Sequence, residues 1–172
     1  MPFTIPIKRP SDDSKSLVLI AAVDDAMGIG REGTIPWDLP EDRRFFRNQT
    51  IGHPTLMGKK TYQSIGGPLP DRPCAVWTHS APERIPDTPC IFSDDLDDLL
   101  EWCGQFHREI YVIGGQSVYR ALLDRSDGII LSRIPGNYGC DKFFPPIHAY
   151  RCALRHPMEG FMIEYWQPEC RT

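Results

Sequence analysis

The stretch that most restricts the fold is LVLIAAV, residues 17 to 23, an unbroken apolar run bounded by charged residues. A run of this kind fits a strand covered on both faces, which places it in the middle of a sheet. With 172 residues, the chain has the length of one compact domain, which on folding buries about 70% of its unfolded surface. One hydrophobic core is expected.

The remaining elements follow from local signals. DDAMGIGREGTIPW, residues 24 to 37, places Gly28, Gly30 and Gly33 within six positions and reads as a loop able to approach a ligand closely. Pro40 suits the first turn of a helix, and PEDRRFFRNQ continues that helix toward Gly52. Residues 54 to 58 read as a strand, 59 to 65 as a short helix and 66 to 73 as a rigid turn. Strands are expected at 74 to 78 and 90 to 92. Ser93 then starts a capped, acid-rich helix with Leu96, Leu99 and Leu100 on one face. EIYVIGGQSVYRALL, residues 109 to 123, passes from a β-rich run through Gly114 and Gly115 into a helical pattern. Further strands are expected at 128 to 134, around 150 to 157 and at 160 to 167, the last two as a hairpin. Strands alternating with helices and then strands alone predict a single-domain α/β fold, its sheet mostly parallel with an antiparallel end. Residues 1 to 16 hold three prolines and mixed charge, so a mobile N-terminal arm ahead of a domain at 17 to 172 is expected.

A formal charge of -4 offers no field for nucleic acid or an anionic membrane, so a small-molecule partner is expected. Six cysteines form no C-x-x-C pair and no metal-ligand spacing with the five histidines. They read as reduced, mostly core thiols, with no metal. No apolar run reaches eighteen residues and no signal-peptide core is present, so the cytoplasm is the default. The histidines are scattered without a nucleophile, which leaves acyl transfer unsupported.

Four groups could carry chemistry. Asp42, near a helix start and flanked by Trp37, Phe45 and Phe46, could stay ionised while water is excluded, and could grip a cationic heterocycle. An acid in a first turn also commonly serves the helix dipole alone. Gly114 and Gly115 could receive a pyrophosphate on backbone N–H groups or form only a tight turn, since G-x-G-x-x-G is absent. Lys59, Lys60 and Thr61 repeat that arrangement, or are solvated. Arg72 on its rigid turn would suit a ligand carboxylate, although surface arginines are common.

In order, LIAAVDDAMGIGREGTIPWDLPEDRRFF, LMGKKTYQSIGGPLPDR, YVIGGQSVYRALL and DKFFPPI resemble four motifs of the dihydrofolate reductase family, spanning residues 17 to 147. The resemblance implies an eight-stranded, mostly parallel sheet with an antiparallel C-terminal hairpin, flanked by about four helices. It also implies hydride transfer from NADPH to 7,8-dihydrofolate. Asp42 matches the acid that binds the pterin N3 and 2-amino group, Trp37 the tryptophan sharing a water with it, and Ser132 the hydroxyl residue linking acid to pterin. Ile20, Ala22, Arg43, Phe46, Ile65 and Leu69 match substrate contacts, and Arg72 matches the arginine that pairs with the glutamate carboxylate. Ile113 and Tyr119 match residues near the nicotinamide. The resemblance places Ala22, Ile29, Gly30 and Ile35 beside the cofactor, the glycine loop closing over it. Gly58, Lys59, Lys60, Thr61, Ser64, Thr78 and His79 fall in the phosphate region, where two lysines favour NADPH over NADH. Gly114 and Gly115 match a cis-linked pair beside the pyrophosphate, followed by Gln116, Ser117 and Val118. No metal and no nucleic-acid or membrane partner is implied, and a monomer is expected.

The chain departs from the family pattern at several positions. Ser132 replaces a threonine, keeping the hydroxyl without the methyl that restrains it. Arg43 stands where an apolar residue is common and could snorkel toward the glutamate tail or weaken apolar inhibitor contacts. Ser117 replaces an arginine found in some members, and the N-terminal arm is extra. Two rival readings are a pyrimidine reductase of riboflavin synthesis, which lacks the paired PWDLPED and PLPDR segments, and a non-catalytic folate- or nucleotide-binding module.

Overall fold

The computed structural model describes residues 2–8, 14–84, 86–107 and 109–169. The apolar run forms β1 (Ser16–Val23), and its two flanking strands are β6 (Glu109–Gly114) and β7 (Gly128–Arg133), both parallel to it. Burial on both sides is visible in the alternation. Leu17 and Leu19 pack with Leu99, Cys103, Val118 and Leu122, whereas Val18 and Ile20 pack with Phe45, Tyr111 and Ile163.

On one side of this centre, β6 is followed by β3 (Thr55–Gly58), β4 (Cys74–Trp77) and β5 (Cys90–Ser93), all parallel. On the other, β7 is followed by β10 (Phe161–Pro168) and β9 (Tyr150–Met158), an antiparallel hairpin closed at Gly160. The eight-stranded order is β5-β4-β3-β6-β1-β7-β10-β9. Strand β9 shows strict alternation of exposed and covered residues, as an edge strand with one wet face should. Helices α3 (Leu96–Gly104) and α4 (Gln116–Leu122) bury Leu99, Cys103, Val118 and Leu122 against one face. Helix α1 (Pro40–Thr50) presses Phe45 onto the other, and α2 (Lys59–Ile65) follows β3 directly. The predicted fold class holds.

Three details differ from the sequence reading. The cap of α3 is Asp95, whose carboxylate accepts from the backbone N–H groups of Asp97 and Asp98, while the Ser93 hydroxyl accepts from Asp95 N–H ahead of the helix. Of the cysteines, Cys74 and Cys103 are buried but Cys90, Cys140 and Cys152 are partly exposed; all five are free, and Cys170 lies outside the described residues. The glycine loop contains β2 (Gly28–Gly30), paired with β8 (Lys142–Phe143). That small sheet is organised by the fully buried Asp24, which accepts from the N–H groups of Ala26, Gly28 and Tyr138 at 3.0, 2.8 and 3.0 Å. Glycine is required at 28, because a Cβ there would lie 2.4 Å from the Cβ of Cys140.

The sequence predicts an arm over residues 1 to 16. Within it, Ile5 is 2% exposed and joins the core face beneath α1. No helix among the described residues is long and apolar enough to cross a membrane.

Candidate active site

Strand ends and helix starts converge where β1, β6 and β7 finish. Ala22 on β1 lies in register with Ser132 on β7, and Ile20, Ala22 and Ile113 belong to the same apolar cluster as Trp37, Phe45 and Phe46. Helix α1 begins over this cluster with Pro40 at its start, and Asp42 and Arg43 both donate their N–H to the Leu39 carbonyl. Asp42 therefore sits in the first turn, where the helix dipole favours a negative charge.

Burial raises the Asp42 pKa above the ordinary carboxylate value, while a hydrogen bond from the Ser132 side chain and the nearby Arg43 charge pull it partly back. The neighbouring Glu41 behaves differently: it is half exposed and pairs with Arg44 at 2.6 Å. Arg43 is turned outward into an ion pair with Asp38, with 65% of its side chain exposed. Trp37 meets Tyr138 edge-on, ring centroids 5.3 Å apart, which ties the start of α1 to the segment after β7.

At the other end of α1 lies Arg72, which is 4% exposed. Its Nε donates to the Pro70 carbonyl at 2.9 Å and Nη1 to the Thr50 hydroxyl at 3.0 Å. Burial and the nearby Arg47 lower its pKa, with Asp71 opposing them. No carboxylate lies within ion-pair distance of Arg72 among the described residues, and a buried guanidinium gains strongly from an anion supplied by a ligand. Leu69 is half-buried and Ile65 is 42% exposed.

A second recess is built around the paired glycines. The Gly114–Gly115 peptide is cis, as expected, and Gly114 has φ 128°, in the region that favours glycine. A Cβ on either glycine would lie 3.5 Å from the Thr61 hydroxyl, so the turn and the start of α2 form one cradle. A Cβ on Gly58 would come within 3.1 Å of Val118. Beyond them is a cavity of about 420 Å³ lined by Lys59, Tyr62, Thr78, Ser80 and Phe92. Lys59 Nζ donates to the Ser80 hydroxyl at 2.9 Å, and the Thr78 hydroxyl donates to the Ser80 carbonyl at 3.1 Å.

Tyr119 joins the two recesses. It is buried, its hydroxyl donates to the Ile20 carbonyl at 2.7 Å, and a Cβ on Gly114 would lie 3.4 Å from that oxygen. Burial raises its pKa far above the ordinary phenol value, so it remains a donor. Gln116 Oε1 accepts from the Phe143 N–H at 2.7 Å, linking the glycine turn to β8.

Other predicted residues stand further out. Ile35, Lys60, Ser64 and Ser117 are exposed, His79 reaches Asp94 at 3.4 Å on the surface, and Ile29 packs on the α3 and α4 side. Gly30 is held in β2, its carbonyl accepting from Asp141 N–H. Thr50, Ser80 and Tyr138 were not anticipated. Ser80 could have been found from its adjacency to Thr78 and His79, whereas nothing local marks Thr50, whose partner is 22 residues away. No group of three or more His, Cys, Asp and Glu side chains among the described residues is arranged to hold a metal.

The family model described as "Dihydrofolate reductase" matches residues 16–159. The chain is 37% identical over 147 residues to dihydrofolate reductase HdrB of Haloferax volcanii, covering 78% of this chain and 73% of that protein. It is 32% identical over 149 residues to a dihydrofolate reductase of Staphylococcus aureus, covering 87% and 90%. Among solved structures, the dihydrofolate reductase of Enterococcus faecalis complexed with NADP(H) and RAB-propyl superposes with a TM-score of 0.79 at 25% identity, over 90% of this chain and 97% of that one.

Proposed function

The chain belongs to the dihydrofolate reductase family, and on that premise we propose that it reduces 7,8-dihydrofolate to 5,6,7,8-tetrahydrofolate with NADPH. The observation that carries this reading is Asp42: an acid at the start of α1, shielded enough to raise its pKa, hydrogen-bonded by Ser132 and bordered by apolar residues. A carboxylate so placed can accept two charge-assisted hydrogen bonds from the amino-amidine edge of a pterin. Its charge then stabilises the ring as N5 takes a proton, in a setting where solvent screening is weak.

Phe46, Ile20, Ala22 and Ile113 supply the apolar walls for the flat ring, and Trp37 closes the cleft at the start of α1. Ser132 orients the Asp42 carboxylate. Arg72, prepositioned by Pro70 and Thr50, receives the glutamate carboxylate, with Leu69 and Ile65 along the aminobenzoyl stretch. Arg43, paired with Asp38 at the surface, lies at the rim.

The chain's own groups fit a dinucleotide. Gly114 and Gly115 leave bare backbone beside the Thr61 hydroxyl at the start of α4, and Gln116, Ser117 and Val118 continue that cradle. Lys59, Lys60, Thr78 and His79 offer cations and hydroxyls for a 2′-phosphate, and Ile29, Gly30 and Ile35 are available to cover the nicotinamide. NADPH, when bound, supplies the hydride that reaches pterin C6. Tyr119 and Ile113 keep the two recesses adjoining, and closure of the β2 loop excludes water from the space between them.

Residues 17 to 172 form the reductase domain, with 1 to 16 as an appended arm; a cytoplasmic monomer is the working state. The decisive experiment mixes purified protein with NADPH and dihydrofolate and follows cofactor oxidation. Turnover with NADPH exceeding that with NADH supports the reading, and no oxidation with either cofactor rejects it.

A further inference from the structure

The family match starts at residue 16, yet residues ahead of it are built into the core. Ile5 is 2% exposed, Phe3 stacks on His156 of β9 with centroids 3.8 Å apart and planes 11° apart, and Phe3 also faces Phe45 of α1 at 6.0 Å. The backbone of Ile5 is clasped on both sides by one side chain: its N–H donates to Gln49 Oε1 at 2.7 Å and its carbonyl accepts from Gln49 Nε2 at 2.9 Å. Gln49 is 5% exposed and also donates to the Tyr111 hydroxyl at 3.0 Å. A buried amide satisfied in this way by a segment outside the family core would be left with unpaired groups if that segment departed.

We propose that residues 2 to 7 form a strap that positions helix α1 for dihydrofolate, with Gln49 as the positioning residue. The inference rests on the reductase reading of the site. Asp42, Phe45 and Gln49 are spaced along one side of α1. The residue after Gln49 is Thr50, whose hydroxyl donates to the Phe46 carbonyl at 2.8 Å and accepts from Arg72 at 3.0 Å. One clasp therefore fixes the helix that carries the pterin acid at its start and braces the carboxylate-binding arginine at its end. The strap packs in the cluster containing Phe45 and Tyr111, whereas α4 of the cofactor recess packs in the cluster on the opposite face of the sheet. Its influence should fall on dihydrofolate rather than on NADPH.

The test uses the full chain with Ile5→Asp, which ejects the anchor, and separately with Gln49→Leu, which removes the clasp. KM for dihydrofolate should rise about tenfold while KM for NADPH stays within about twofold, the effect expected of a misplaced binding element. Ile5→Val should restore both to the parent values. Amide hydrogen exchange across residues 42 to 50 should accelerate in Ile5→Asp, with residues 116 to 122 unchanged. Equal changes in both KM values, or unchanged exchange in α1, overturn the proposal. Should the parent chain fail to turn over dihydrofolate, the reductase reading falls by itself, and the exchange measurement still decides whether the strap holds α1.

Discussion

Arg72 donates Nη1 to the hydroxyl of Thr50 at 3.0 Å, so a buried guanidinium is fixed by the last residue of the helix whose first turn holds Asp42. The two ends of the proposed substrate cleft are thereby joined by one helix. Arg72→Leu should raise KM for dihydrofolate by roughly 100-fold, corresponding to about 3 kcal/mol for charge-assisted hydrogen bonds. A dihydropterin lacking the glutamate should show no such penalty. Equal losses with both substrates would remove Arg72 from carboxylate binding.

Replacement of Asp42 by Asn keeps the shape and removes the charge. Turnover near neutral pH should fall by about 10²-fold or more, as for loss of an electrostatic group acting in the transition state. NADPH affinity, measured by direct titration, should not change. Unaltered turnover would end the assignment of Asp42.

The same substitution makes an independent stability prediction. Burial holds the native pKa of Asp42 above its ordinary value of 3.8, so the folded state binds more protons than the unfolded state between those two values. Stability contributed by this group is present at low pH and declines as pH rises through the raised pKa. Asp42→Asn should therefore be more resistant to urea than the parent at pH 7, with the gap narrowing toward pH 4. A constant gap across that range contradicts the assignment.

The Ser132 hydrogen bond lowers the Asp42 pKa against the burial effect. Ser132→Ala should move the Asp42 carboxyl titration, followed by NMR, to higher pH, and Ser132→Thr should leave it near the parent value. An unshifted titration in the alanine variant would show that the hydroxyl does not orient the acid.

Cofactor preference should reside partly in Lys59, which lines the outer cavity and touches Ser80. Lys59→Met should raise KM for NADPH about tenfold and leave KM for NADH within about twofold, since only the former carries the 2′-phosphate. A parallel rise for both cofactors would place Lys59 elsewhere on the dinucleotide.

Much of the fold was legible because its signals are local. The run at 17 to 23 announced a strand with two covered faces, and the junction at Gly114 and Gly115 announced a strand entering a helix. The β2–β8 pair was not legible: three residues containing two glycines carry no strand signal, and their pairing depends on Asp24 reaching backbone groups at 28 and 138. Similarly, His53 and His107 looked scattered, yet folding brings their Nδ1 atoms to 3.1 Å.

At the site, the order of motifs in the sequence named the family resembled, and with it Asp42, Arg72 and the glycine pair. Periodicity, turn residues and motif order are properties of neighbouring positions, which is why the chain alone determined the α/β class, the position of β1 and the acid at the start of α1. Which side chains satisfy which buried groups is decided by contacts between segments far apart in sequence. Only the tertiary structure could therefore turn Arg43 outward to Asp38, bind Arg72 to Thr50, and draw Ile5 into the grasp of Gln49.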